Sequence, residues 1–241
     1  MKLSKKTYHR LAMFSGVSCL VIAVLLILWS LLAKVAFFKD TYHLIVAKLT
    51  EIQDYIVHLD HKWMIVLAIL FLFFLKTTIP IPFWVLLMAP GIAFPFYQAI
   101  IINLIGMAML MALKYWYGTK RGGGFFRKLL SQIDEFADTM ERGQSKRKTF
   151  VLFVFRLVPS FSINSISQLY GSMKYKFSTF IIVSLIGVLP RILSYAIAGR
   201  NVYDPFSFKF TIPLIFIFVF SGVSILSIDR ILTKIKSSKS K

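Results

Sequence analysis

Lys76-Thr77-Thr78-Ile79-Pro80-Ile81-Pro82 separates two charge-free apolar arms, Trp63–Leu75 and Phe83–Ala89. The first arm has 13 residues, about 20 Å as a helix, and the second is shorter. Crossing a hydrocarbon core of ~30 Å takes about 20 helical residues, so neither arm crosses upright. Two short apolar arms around a Pro-x-Pro break predict a re-entrant hairpin. Irregular backbone at membrane depth is tolerated where it is packed in protein or lines a watery cavity. Pro90-Gly91 and Pro95 interrupt the chain again, and residues 98–117 read as one ordinary span.

A second break lies at Arg156-Leu157-Val158-Pro159, between a short apolar arm, Thr149–Val158, and a more polar return arm, Ser160–Tyr170. Residues 177–198 form the next span, with Pro190 and Arg191 inside it. The hairpins cover about 63–95 and 149–171. Each hairpin-plus-span unit carries the same punctuation. Pro80, Gly91, Gly106 and Gly118 are spaced by 11, 15 and 12 residues, and Pro159, Gly171, Gly187 and Gly199 by 12, 16 and 12. Asn103-Leu104-Ile105-Gly106 parallels Ser184-Leu185-Ile186-Gly187, and Lys76 and Arg156 each stand just before a break. A re-entrant hairpin makes no net crossing, so the single span after it starts the second unit from the opposite face. The expectation is an inverted repeat, common among secondary transporters, with the breaks meeting near the midplane. Pro80, Pro82, Gly91, Pro159, Gly171, Gly187 and Pro190 are then break and packing positions, since small residues let helices approach closely.

Outside this core (63–200), Leu11–Ala33 is a charge-free run of 23 residues following Lys2, Lys5, Lys6 and Arg10. It exceeds the ~7–15-residue apolar core of a signal peptide and reads as a retained span. Segment 1–62 closes with a charge-mixed stretch in which Leu44, Ile45, Leu49, Ile52, Ile56 and Leu59 recur at helical spacing, as in an interfacial amphipathic helix. Segment 201–241 holds a last span, residues 210–228, and a basic tail. The 241 residues are 57% hydrophobic and 16% charged, with a net charge of +19. A soluble domain has about 25% charged residues. An ordinary cytosolic enzyme is excluded, and 24 Phe exclude a disordered basic tail. The fold class is an all-α integral membrane protein: an inverted repeat of re-entrant hairpin plus span, flanked by N- and C-terminal spans. With both termini in the cytoplasm, the basic segments 1–10, 118–148, 174–176 and 230–241 all lie inside, as expected of a multi-pass membrane protein. Full two-helix crossings would leave every loop on the same side; only arm length favours re-entry.

No acidic residue occurs between His61 and Ile133 or between Arg142 and Tyr203, yet that core holds Lys76, Lys114, Arg156 and Arg191. A cation at the centre of a membrane helix costs about 2.5–3.5 kcal/mol on insertion scales. Without a counter-ion it needs water, carbonyls or a bound anion. Guanidinium pairs with phosphate bidentately, and broken helices expose N–H groups that favour phosphate. Arg156, Arg191, Asn164, Ser160, Ser162 and Lys76 are therefore candidates for binding a phosphate head group. The competing assignments are that Arg156 snorkels or caps carbonyls, that Arg191 sits near an interface, and that Lys114 snorkels. Gly122-Gly123-Gly124 has no GK[ST] sequel and reads as a flexible turn. The single cysteine, Cys19, allows no internal disulfide, and His9, His43, His58 and His61 all precede the core. No catalytic residue, metal or cofactor is expected, because the core serines lack a neighbouring base and the core lacks carboxylate ligands for a metal. The expected partners are membrane lipids with phosphate head groups and not nucleic acid; self-association is left open. The expected function is movement of such lipids between leaflets; an anion channel, a small-anion transporter or an enzyme acting on lipid phosphates are the alternatives.

Phe155-Arg156-Leu157-Val158-Pro159-Ser160-Phe161-Ser162-Ile163-Asn164, then Tyr170-Gly171, resembles the second hairpin of the DedA/VTT-domain family, also called the SNARE-associated Golgi protein family. Gly187-Val188-Leu189-Pro190 and Gly199 match its following span, and Pro80 and Pro82 through Gly91, Gly106 and Gly118 match its first unit. The similarity covers roughly residues 63–200. It implies paired re-entrant hairpins and a flippase- or scramblase-type activity on phospholipids or undecaprenyl phosphate. It carries Arg156, Pro159, Asn164, Gly171, Gly187 and Pro190 over as motif positions. The family usually has an acidic residue near the first break, where Thr77 and Thr78 stand here, and often a second Arg where Ser162 stands. Both departures weigh against proton coupling through a carboxylate.

Overall fold

The computed structural model describes residues 5–32, 47, 62–121, 145–158, 161–205 and 207–238. Eight helices occur among them: α1 (Lys5–Leu32), α2 (Lys62–Leu75), α3 (Phe83–Ala93), α4 (Phe96–Arg121), α5 (Ser145–Leu157), α6 (Ile163–Ser172), α7 (Phe177–Arg200) and α8 (Phe208–Ser238). The proposed interfacial helix between residues 34 and 61, Gly122–Gly124, most of the basic 118–148 segment, Pro159 and Ser160 lie outside the described residues.

Length divides the helices into two sets. α1, α4, α7 and α8 are long and apolar enough to cross a membrane, over Met13–Leu31, Phe96–Lys120, Phe177–Arg200 and Phe208–Ser227. α2, α3, α5 and α6 have 14, 11, 13 and 10 residues, all shorter than a span. Residues 76–82 separate α2 from α3, and 158–162 separate α5 from α6. Half-exposed Val17, Leu25, Leu28, Ile101, Ile182 and Ile212 give the spans outward faces as apolar as their inward ones. Helices that are apolar all round belong in a membrane, so the chain is a multi-pass, all-helical membrane protein.

Boundaries differ from the sequence expectation where side chains or packing take over from hydropathy. Pro90-Gly91 does not interrupt α3, which runs to Ala93. Pro90 removes one helical N–H, but Pro90 and Gly91 are both buried against the rest of the bundle, which holds the helix together. The return arm begins at Ile163 instead of Ser160, because Ser162 is the N-cap and its hydroxyl accepts from the Ser165 N–H. α4 and α8 extend beyond the apolar runs into their basic flanks, reaching Arg121 and Ser238.

The packing repeats in the two units. A methyl added at Gly91 on α3 would strike the Ala196 carbonyl on α7, and one at Gly199 on α7 would strike the Met88 carbonyl on α3. In the same way Gly171 on α6 abuts the Tyr115 carbonyl on α4, and Gly118 on α4 abuts the Gln168 carbonyl on α6. In all four, the glycine and the carbonyl on its own helix are three residues apart. Each return arm therefore packs backbone-to-backbone on the span of the other unit. Each entry arm packs on its own span: Gly106 lies under the Phe73 ring, and Gly187 lies under the Arg156 side chain. Exchanging the two units reproduces the same contacts. α1 pairs with α8 beside this core, through facing Gly16 and Gly222 and a buried hydrogen bond of 2.7 Å between Ser30 and Thr211.

Candidate functional site

Arg156 closes the last turn of α5 and is fully buried. Its Nε donates to Ser184 Oγ on α7 at 3.0 Å, Nη1 to the Ile163 carbonyl at 3.0 Å, and Nη2 to Ser167 Oγ on α6 at 2.8 Å. Ser167 also donates to the Ile163 carbonyl at 2.7 Å. The guanidinium lies 5.4 Å from the centre of the Phe180 ring, a favourable cation–π placement. All these partners are neutral. One side chain thus ties α5, α6 and α7 together across the second break.

Arg191 sits on the same span, about 21 Å from its start and about 14 Å from its end, and is 8% exposed. Its Nη2 donates to the Val158 carbonyl in the second break at 3.1 Å. Its guanidinium lies 5.9 Å from the ring centre of Phe83, the residue that opens α3 after the first break. Arg191 therefore donates to the second break and lies beside the residue that follows the first. Both guanidiniums donate to carbonyls flanking the second break, Arg156 to Ile163 and Arg191 to Val158. Arg191 Nε is buried without a hydrogen-bond partner.

Two lysines hold the first break. Lys76 Nζ donates to the Ile81 carbonyl and Lys114 Nζ to the Thr77 carbonyl. Lys114 also lies 5.6 Å from the Tyr117 ring centre. Lys114, which the sequence offers as a snorkelling residue, donates to a carbonyl of the first break. Asn103 on α4 is fully buried and donates to the Leu87 carbonyl of α3 at 2.9 Å, leaving its Oδ1 unpartnered.

Of the six sequence candidates, Arg156 and Arg191 come together at the second break. Ser162 is an exposed helix cap whose hydroxyl also accepts from Ser165 Oγ at 3.2 Å. Asn164 is half-buried at the start of α6, and Lys76 serves the first break. Ser160 and Pro159 are outside the described residues. Counting from the prolines aligns Lys76 with Arg156, but the packing aligns Phe73 with Arg156, each over its span's central glycine. The first break has two more residues than the second, so distance from a proline is not conserved between units. Ser167, one of the return-arm serines offered as hydrogen-bonding groups, does meet Arg156; Ser184, Phe83 and Phe180 were missed as partners of the guanidiniums. The alignment of Ser184 with Asn103, each three residues before a packing glycine, is the signal that would have found the first.

Two crossed helix–break–helix pairs, each docked on the other's span, define an all-helical membrane protein built on an internal repeat. The VTT domain family model matches residues 81–201, from the first break to the end of α7, and the chain belongs to that family, which is the DedA/SNARE-associated Golgi protein family. The match starts inside the first break, later than the expected residue 63. No curated protein and no solved structure matches the chain.

Proposed function

We propose that this protein moves a phosphate-bearing lipid, such as a phospholipid or undecaprenyl phosphate, between the leaflets of the cell membrane. The observation that carries this is the pair of buried guanidiniums at the second break, one of them beside the first residue of α3, with hydrogen-bond partners that are all neutral. A core that keeps cations at membrane depth without carboxylates favours a visiting anion. In this reading the short helices are re-entrant arms, α2–α3 from the outer face and α5–α6 from the inner, and both termini are cytoplasmic. Head groups pass the guanidiniums while acyl chains stay in lipid. In this reading no chemical bond is made or broken.

The test is reconstitution into liposomes carrying either a fluorescent phospholipid or a labelled polyprenyl phosphate, with outer-leaflet quenching followed over time. Quenching that proceeds beyond the outer-leaflet share, and only in liposomes holding the protein, is the expected result. No movement of either lipid, with chloride or phosphate flux in its place, would replace the proposal with an anion channel.

A further inference from the structure

The two buried arginines differ in what they have left to offer. Arg156 makes three hydrogen bonds inside the protein, one from each guanidinium nitrogen. Arg191 makes one, and its Nε–H is buried with no acceptor. An orphaned donor on a cation is among the most costly groups to bury. Its surroundings are also positive. Phe83, against which the guanidinium lies, is the first residue of α3, and Pro82 caps that helix without any side-chain hydrogen bond. The first N–H groups of a helix have no acceptor of their own, and the helix dipole concentrates positive potential there. Lys76 adds an ammonium on the carbonyl of Ile81, two residues before α3 begins. No carboxylate occurs in the sequence between residues 61 and 133 or between 142 and 203 to neutralise any of them.

We infer that the N-terminus of α3 and the Arg191 guanidinium together form the anion site, and that its ligand is a phosphate head group of net negative charge, since residues 61–133 and 142–203 offer no carboxylate to a cationic head-group moiety. The inference rests on the lipid-transport reading and gives it a location. Phosphate oxygens accept from Arg191 Nε and from the opening N–H groups of α3, while Arg191 Nη2 stays on the Val158 carbonyl. The ligand thereby links the first break to the second, because Arg191 is hydrogen-bonded to the second and lies beside the residue that follows the first. Arg156 does not touch the ligand; it is a positioning residue that fixes α5 and α6 on α7. The first unit shows that packing does not require the charge. Arg191 follows Gly187 by four residues, and the residue four after Gly106 is Leu110, fully buried in an equivalent span.

The test measures binding and not transport. Purified protein in detergent is titrated calorimetrically with dihexanoyl phosphatidic acid, with the phosphatidylcholine of the same chain length, and with inorganic phosphate. Wild type is expected to bind phosphatidic acid and not phosphatidylcholine. Arg191→Leu is expected to bind about 10–100-fold more weakly while melting at or above the wild-type temperature. Displacement of phosphatidic acid by an equal concentration of inorganic phosphate assigns the site to a free anion; displacement only at large excess assigns it to a lipid head group. Arg191→Gln, which keeps a donor for the Val158 carbonyl and removes the charge, is the second variant. Wild-type affinity in either variant, or no binding of phosphatidic acid by the wild type, overturns the site. Unfolding of both variants makes Arg191 a structural residue and overturns it as well. Arg191-dependent binding by a protein that moves no lipid would keep the site and reject lipid transport; lipid movement with Arg191-independent binding would do the reverse.

Discussion

The first and second units solve the same packing problem with different chemistry. Over the central glycine of its span, the first unit places the Phe73 ring and the second the Arg156 guanidinium stem. Three residues before that glycine, Asn103 reaches across to the carbonyl of Leu87 in its own hairpin, and Ser184 receives Arg156 Nε. Four residues after it, Leu110 stands where the other unit has Arg191. The glycines that touch carbonyls are alike in both. Close backbone approach is thus what the architecture demands, and an apolar filling satisfies it. The charges of the second unit are additional to that demand. They carry a desolvation cost that the first unit avoids, which is why function is sought there.

The comparison breaks first at the glycines. Gly199→Leu and Gly118→Leu each drive a side chain into a carbonyl of the opposing return arm, with no flexible neighbour to yield. Both are expected to abolish the folded peak in detergent size-exclusion chromatography, and to equal extent. A folded Gly118→Leu beside an unfolded Gly199→Leu would show that the units are not equivalent. Next comes Arg156→Ala, which leaves a large void and removes three hydrogen bonds. A loss of about 3–5 kcal/mol is expected, read as a lower melting temperature by intrinsic fluorescence. Arg156→Ala and Arg191→Leu should therefore move stability in different ways although both remove a buried arginine. Ser184→Ala removes only the Nε acceptor and is expected to cost about 1–3 kcal/mol. The smallest effect belongs to Ser162→Ala, where an exposed cap with a 3.4 Å bond is lost; about 0.5 kcal/mol should shift the melting temperature by little more than its error.

The spans and breaks were legible because hydropathy and proline act locally. The packing glycines were legible through their spacing, since a helix that must touch another backbone has no alternative to a small residue. Their partners were not. Nothing near Gly91 announces Ala196, because the contact joins the return arm of one unit to the span of the other. The cations were visible as charges without counter-ions, but their roles depended on which carbonyls and hydroxyls the fold brought within 3 Å, as with Ser184 and Ile163 around Arg156. Lys76 was placed opposite Arg156 because prolines were used as rulers across breaks of unequal length.

The crossing of return arms has a consequence for synthesis. Gly91 docks on a segment made 108 residues later, around Gly199. At ribosomal rates of about 5–20 residues per second, α3 waits ~5–20 s for its partner. During that interval a helix too short to span the bilayer holds its glycine face and freed carbonyls without the surface that will cover them. The nascent chain therefore cannot mature helix by helix; its first half must be sheltered, at the insertion machinery or against lipid, until the second half has been delivered.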